Sequence, residues 1–236
     1  MSRNLRTLLA AALTLTALGI TASAHAADEF HCSTFPCRGK LSTDGTGAAA
    51  HHVLIFENET KTESVSFTCG SLRGTAEFVS GTDLSLGWVK GSTDREAYVE
   101  CKINGTPGVV IHMNGCKYTF TGGALGRTDR AELHLLCGVE EEMEITIPES
   151  TCVFGIPPQT MGGGTGNSGG VGYTTSGTPP NRELTFTINA HQIVVKKKGN
   201  CEAIIKAAVI EGTYTTGNTL VTGQTSAGVM AEAWFE

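Results

Sequence analysis

The sequence predicts an all-β, antiparallel fold stapled by disulfides, built as one β-sandwich or as two packed sandwich halves. Three observations carry this. Short runs alternate apolar and polar residues with the period of a strand: Ala97, Val99, Cys101 and Ile103; Cys116, Tyr118 and Phe120; Ala131, Leu133, Leu135 and Cys137. The chain holds 30 glycines in 236 residues, and turns containing Gly, Asn or Asp separate the runs. No segment sustains an apolar stripe at i, i+3, i+4 over three turns between helix caps. Side chains two apart on a strand share a face, so the cysteines of these runs point into a core and not at water.

The elements follow in order. Cys32 and Cys37 close a small loop within Phe30 to Arg38, and the polar stretch Leu41 to Ala50 continues as loop. Val53 to Phe56 is a strand and Glu57 to Thr60 a turn. Val65 to Cys69, Leu72 to Phe78 and Leu84 to Trp88 are further strands, and the cysteine-bearing meander from Cys101 to Cys152 comes next. Met143, Ile145 and Ile147, then Cys152 to Phe154, end that meander. Residues 162–180 are rich in Gly, Ser, Thr and Pro and poor in apolar side chains, so burial offsets little of their ordering entropy and a mobile loop is expected. Leu184, Phe186, Ile188 and Ala190 alternate strictly, Ile193 to Val195 continue them, and Lys196 to Asn200 turn the chain. Residues 202–211 fit a strand or a short helix, with the alternation of Cys201, Ala203, Ile205, Ala207 and Val209 favouring strand. Tyr214, Leu220 with Val221, and Val229 to Phe235 supply the last strands.

The first residues read as an export signal. Arg3 and Arg6 precede the apolar run Leu8 to Ile20, and Ala24-His25-Ala26 is a small-x-small cleavage site, so residues 1–26 are expected to be removed and 27–236 to form the secreted domain. The apolar run is shorter than the ~20 residues a bilayer span requires. Loss of the two arginines takes the formal charge from -6 to about -8, which argues against a nucleic-acid partner. An extracellular or cell-surface ligand fits better, with no membrane span.

All eight cysteines, Cys32, Cys37, Cys69, Cys101, Cys116, Cys137, Cys152 and Cys201, lie in the exported part, and no C-x-x-C pair suggests zinc. Their even number predicts four disulfides. Short closures between neighbouring strands would pair Cys32 with Cys37, Cys101 with Cys116 and Cys137 with Cys152, leaving Cys69 and Cys201 as a long tie. A loop of about 15 residues gains roughly 3 kcal/mol from such closure.

Few residues suggest chemistry. Gly166-Asn167-Ser168-Gly169-Gly170 resembles the G-D-S-G-G segment around the nucleophile of chymotrypsin-like proteases, with His51 as base and Asp83 or Asp94 as orienting acid. Asn167 replaces the family's acid, His52 stands where the family has a cysteine, and the match lies in a Gly/Ser-rich tract, so Ser168 is read as a chance match. His51 and His52 face opposite ways on a strand; His112, His134 and His191 are isolated and read as surface or hydrogen-bonded residues, not metal ligands. Glu140 to Glu142 with Glu144 lack calcium-loop spacing and read as a solvated turn that discourages edge pairing, and Lys196 to Lys198 as a hairpin tip. No catalytic residue, metal or cofactor is assigned. Asn58-Glu59-Thr60 and Asn104-Gly105-Thr106 are glycosylation sequons.

Met113 to Phe120, Cys137 at a strand end, Thr146-Ile147-Pro148 before Cys152, Ile156-Pro157-Pro158-Gln159 after it, and Gly212 to Thr215 with Gly223 resemble a group of paralogous secreted bacterial proteins without assigned function. The resemblance covers most of residues 65–225 and implies export and a cystine-rich β architecture, with no catalytic residue to carry over. The expected function is that of a secreted, non-enzymatic structural or binding protein. A secreted hydrolase and an extracellular carbohydrate-binding module are the alternatives.

Overall fold

Strand formation follows the alternation where it is strictest. Leu184, Phe186, Ile188 and Ala190 are all buried, while Glu183, Thr187 and Asn189 between them are exposed. A sheet with one covered face selects this pattern. The computed structural model describes residues 30–33, 38–42, 52–78, 83–87, 98–122, 130–161, 169–216, 219–224 and 230–235. Among them the first strands are β1 (Phe30–Cys32), β2 (Arg38–Ser42), β3 (His52–Glu57), β4 (Ser64–Cys69), β5 (Ser71–Phe78), β6 (Asp83–Gly87), β7 (Tyr98–Val99) and β8 (Lys102–Ile103). The middle of the chain holds β9 (Thr106–Pro107), β10 (Val110–His112), β11 (Lys117–Gly122), β12 (Arg130–Leu136), β13 (Met143–Thr146), β14 (Val153–Ile156) and β15 (Gln159–Thr160). The last are β16 (Gly169–Ser176), β17 (Glu183–Lys198), β18 (Ile210–Thr216), β19 (Thr219–Gln224), β20 (Met230–Ala231) and β21 (Ala233–Phe235). The expected all-β, antiparallel, disulfide-stapled class is what the structure shows.

The sheets curl, and two curls share one strand. In the first, β2, β5, β6, β11, β12, β16, β17 and β19 pair in that order, and β19 pairs back to β2, so eight antiparallel strands close a ring. Phe120, Leu133, Val171, Tyr173, Leu184 and Phe186 are buried on its inner face. Thr121, Glu132, Thr174 and Thr187 lie on the outer one. In the second curl the order is β9, β8, β4, β3, β18, β17, β14, β13, β10. Phe56, Phe67 and Phe154 meet inside it, with ring centroids 5.1 to 5.6 Å apart.

The 16-residue β17 runs through both curls. Its first half pairs with β16 over eight rungs, and its last three residues pair with β14. Between the halves the register with β18 slips between Ala190 and Ile193, with Gln192 at φ 58°. This bulge shifts the buried phase from the even residues 184–190 to Ile193 and Val195. Opposite the bulge the Gln159 side chain takes the place of a strand. Its Oε1 accepts from the Val194 N–H at 2.8 Å, and its Nε2 donates to the Val194 and Pro157 carbonyls at 3.0 and 3.1 Å.

Several expectations need correction. Cys69 bonds Cys101, Cys116 bonds Cys137 and Cys152 bonds Cys201, so the proposed pairs Cys101–Cys116, Cys137–Cys152 and Cys69–Cys201 are wrong. Proximity along the chain does not decide the pairing: each bond ties together segments 21 to 49 residues apart that the curling sheets bring into contact. Cys32 is also disulfide-bonded, but Cys37 lies outside the described residues. The expected loop at 162–180 contains β16, whose sparse side chains are compensated by a full ladder to β17; the rest of its Gly-rich first part, 162–168, lies outside the described residues. Alternation fails through residue 100, where Glu100 adopts φ 57° and the buried residue before it is Tyr98. Residues 202–209 form a turn and an irregular segment, and strand resumes only at Ile210. That segment is clamped instead of paired. Glu63 Oε2 accepts from the N–H groups of Lys206 and Ala207 at 2.9 Å each, and Lys197 Nζ donates to the carbonyls of Ile205, Lys206 and Ala207.

Candidate functional site

Two polar constellations stand out, one sealed and one open. The sealed one grows from strand phase. His52 alternates with Leu54 and Phe56 on β3, Tyr118 with Cys116 and Phe120 on β11, and Tyr214 with Ile210 on β18, so each side chain turns inward; Tyr98 enters from β7. His52, Tyr118 and Tyr214 are 0% exposed and Tyr98 3%. The Tyr118 and Tyr98 hydroxyls are 2.8 Å apart, Tyr98 donates to Tyr214 at 3.2 Å, and the Tyr214 hydroxyl lies 2.7 Å from His52 Nδ1. Because Tyr98 donates to Tyr214, Tyr118 is the donor in its contact with Tyr98, and its hydroxyl also lies 3.5 Å from Met143 Sδ; the tautomer of His52 sets the direction of the Tyr214–His52 bond. The rings of Tyr118 and Tyr214 stack at 6.2 Å, and those of His52 and Tyr214 at 6.0 Å.

Burial pushes the hydroxyls of Tyr98, Tyr118 and Tyr214 well above the usual phenol range; repulsion from neighbouring hydroxyls adds to this, while the hydrogen bonds that Tyr98 and Tyr214 accept act against it. The chain therefore carries neutral donors and acceptors at ordinary pH. Tyr118 belongs to the ring, whereas His52 and Tyr214 belong to the second curl. The network is a hydrogen-bonded joint between the two, closed to any substrate.

The open constellation lies on the outer face of β13, β14 and β17. One row across these strands reads Glu144, Gly155, Lys196, and Lys198 stands two residues further along β17. Gly155 has no side chain in the middle of the row, so the Glu142 carboxylate lies over it; a Cβ there would collide with that carboxylate. From this position Glu142 reaches Lys198 and Lys196, the latter at 3.7 Å. Lys198 Nζ also donates to Glu144 Oε1 at 2.7 Å. Asn114, at φ 46° in a tight turn with Gly115, donates through Nδ2 to the Glu142 carbonyl and to Glu144 Oε2 at 3.1 and 3.3 Å. The Lys198 hydrogen bond holds the Glu144 carboxyl below its usual range, and the bonds to Glu142 and Glu144 push the Lys198 ammonium upward. Asn114, Gly115, Glu142, Glu144 and Lys198, with Glu140 and Glu141, line an open cleft of about 480 Å³. The reading of Lys196 to Lys198 as a hairpin tip is thus overturned: they are strand residues, and Lys196 and Lys198 neutralise Glu142 and Glu144. Among the described residues no group of three or more His, Cys, Asp or Glu side chains is placed to hold a metal ion.

Most of the serine-protease match falls where the structure describes nothing. Ser168, His51 and Asp94 lie outside the described residues, and Asp83 sits at the start of β6. Gly169 and Gly170 are strand residues opposite Ala190 and Asn189. His112 Nε2 contacts Thr146 Oγ1 at 3.2 Å; His134 Nδ1 contacts Thr160 Oγ1 at 3.0 Å and its Nε2 lies 3.3 Å from Glu132. Asn58 of the first sequon is engaged in its own turn, its Oδ1 accepting from the N–H groups of Thr62 and Glu63. The tyrosine network was missed from sequence, although the in-phase positions of His52, Tyr118 and Tyr214 were its visible signal. Comparison with protein-family models, with curated proteins and with solved structures returns no match.

Proposed function

We propose that this chain is an exported, non-enzymatic β-protein serving outside the cytoplasm as a structural or binding module, of the kind found in the secreted paralogous group its cysteine motifs resemble. The observation that carries this reading is the setting of His52. His52 is fully buried and hydrogen-bonded to Tyr214, at the inner end of the hydroxyl chain that joins the two curled sheets through Tyr98 and Tyr118. Three further observations support it. Three cystines tie distant segments of the sheet, a device suited to oxidising surroundings. The described outer face of the ring is polar apart from Leu136. In the open cleft, Glu142 and Glu144 are held in ion pairs with lysines, unlike a carboxylate poised as a general acid or base.

Treatment of the secreted protein with a fluorophosphonate probe, beside Ser168→Ala, tests the reading. No covalent labelling is expected. Labelling of the parent chain that disappears in Ser168→Ala would establish a serine hydrolase and overturn it.

A further inference from the structure

The chain holds two Asn-Gly pairs, Asn104-Gly105 and Asn114-Gly115, and both form the same tight turn. Each asparagine has φ 46°, and the glycines that follow have φ 86° and 75°, the pair of positive angles that a two-residue hairpin loop selects. Their surroundings differ. Asn104 and Gly105 form the exposed tip of the β8–β9 hairpin, which closes with two rungs, and among the described residues β9 pairs with β8 alone. Asn104 Oδ1 accepts from the Ser66 N–H at 3.0 Å, its Nδ2 donates to no described residue, and a Cβ on Gly105 would meet nothing within 4 Å. Asn114 is half-buried, and its pair sits between Met113 and the disulfide-bonded Cys116, both buried. Its Nδ2 donates to the Glu142 carbonyl and to Glu144 Oε2, and a Cβ on Gly115 would lie 2.7 Å from Glu141 Oε2.

We propose that Asn104 is a modification site, converted to aspartate and isoaspartate by attack of its own backbone, while Asn114 in the same dipeptide is protected. The Gly105 N–H gives its proton to solvent, and the nitrogen attacks the Asn104 Cγ. The Cγ–Nδ2 bond breaks and ammonia leaves with a proton from water, which closes a succinimide ring. Water then opens the ring at either carbonyl. Opening at Cγ restores the normal chain with aspartate at 104; opening at the backbone carbonyl leaves the chain running through the side chain, as isoaspartate. One water is consumed and one ammonia released, with nothing oxidised or reduced. The Ser66 N–H stays on Oδ1 as that oxygen gains charge in the tetrahedral intermediate, where a fixed donor counts for most. The hairpin tip opens at little cost because only two rungs resist it, and the open space around Gly105 admits water. At Asn114 the departure of ammonia breaks two hydrogen bonds, and the Glu141 and Glu144 carboxylates repel the anionic nitrogen. Two hydrogen bonds of ordinary worth slow that site by on the order of 10-fold. Either product at 104 removes the acceptor of the Asn104 sequon.

The test ages the folded, disulfide-intact chain at mildly alkaline pH, made in a host that adds no glycan, and follows it by peptide mapping with mass spectrometry. The peptide holding Asn104 should show the mass change of an amide turned to an acid, as both aspartate and isoaspartate. It should do so on the order of 10-fold faster than the peptide holding Asn114, and faster still as pH rises. In concentrated urea, where the fold no longer separates the two pairs, their rates should become similar. Glu144→Ala removes one acceptor and one repelling charge from Asn114, so it should speed conversion there and leave Asn104 unchanged. No conversion at Asn104 in the folded chain, equal rates at the two sites, or a faster Asn114 would each overturn the proposal. Aspartate without isoaspartate would exclude the ring intermediate and overturn it too, as would an unchanged Asn114 rate in Glu144→Ala.

Discussion

Tyr214→Phe removes one oxygen from the middle of the sealed network and changes nothing in shape. That hydroxyl accepts from Tyr98 and contacts His52 Nδ1, and both partners are at most 3% exposed. Two buried polar groups lose a bond that water cannot replace, at roughly 1–3 kcal/mol for each group left unsatisfied. Relaxation of the neighbouring tyrosines recovers part of this, so a loss of about 2–4 kcal/mol is expected. For a domain of about 200 residues that corresponds to a fall in Tm of roughly 5–15 °C. Tyr118→Phe, at the end of the chain of hydroxyls, should cost about 1 kcal/mol, since Tyr98 keeps its bond to Tyr214. Urea denaturation of the oxidised protein measures both. A Tyr214→Phe cost under ~0.5 kcal/mol, or a Tyr118→Phe cost exceeding it, would refute the ordering of donors and acceptors.

Other outcomes follow from the same geometry. All four tyrosines, Tyr98, Tyr118, Tyr173 and Tyr214, are pushed upward by burial. Their folded values lie above the unfolded value of ~10, so this stabilisation is complete below about pH 10 and is lost as pH rises further. Absorbance at 295 nm should show tyrosinate appearing only as the fold melts; smooth titration of a native protein near pH 10 would contradict the burial. Lys198→Met should return the Glu144 carboxyl toward its usual range, visible by carbon NMR. Because Lys198 is 46% exposed, its effect on stability should stay within ~1 kcal/mol. Glu144, held low, contributes stability above the usual carboxylate range and loses it as pH falls, and Lys198→Met should flatten that acid limb. Gln159→Ala leaves the Val194 N–H and C=O without their amide partner; a cost of ~1–2 kcal/mol and faster exchange of the Val194 amide are expected.

The sequence announces local structure better than it announces closure. Alternation located Val53 to Phe56, Cys116 to Phe120 and Leu184 to Ala190, because one buried face imposes period two on any sheet. It failed at Glu100 and Gln192, where a single residue of positive φ shifts the phase and leaves no compositional mark. Residues 169–176 looked like linker because their side chains are few; their order comes from a ladder supplied by residues 183–190, which local composition does not register. Glu142 to Glu144 and Lys196 to Lys198 looked like unrelated surface charges, since only the β13–β14–β17 pairing and the bare Gly155 bring them together. The same limit explains the cystines. Proximity along the chain favoured neighbouring cysteines, whereas the folded sheet decides which sulfurs meet.

Disulfide mapping of the oxidised, unreduced protein by proteolysis and mass spectrometry tests the architecture on which every functional statement above depends. The structure predicts peptides joining Cys69 to Cys101, Cys116 to Cys137 and Cys152 to Cys201, and no free thiol among the described cysteines. Peptides joining Cys101 to Cys116 or Cys137 to Cys152 would contradict the two curled sheets and the shared strand between them.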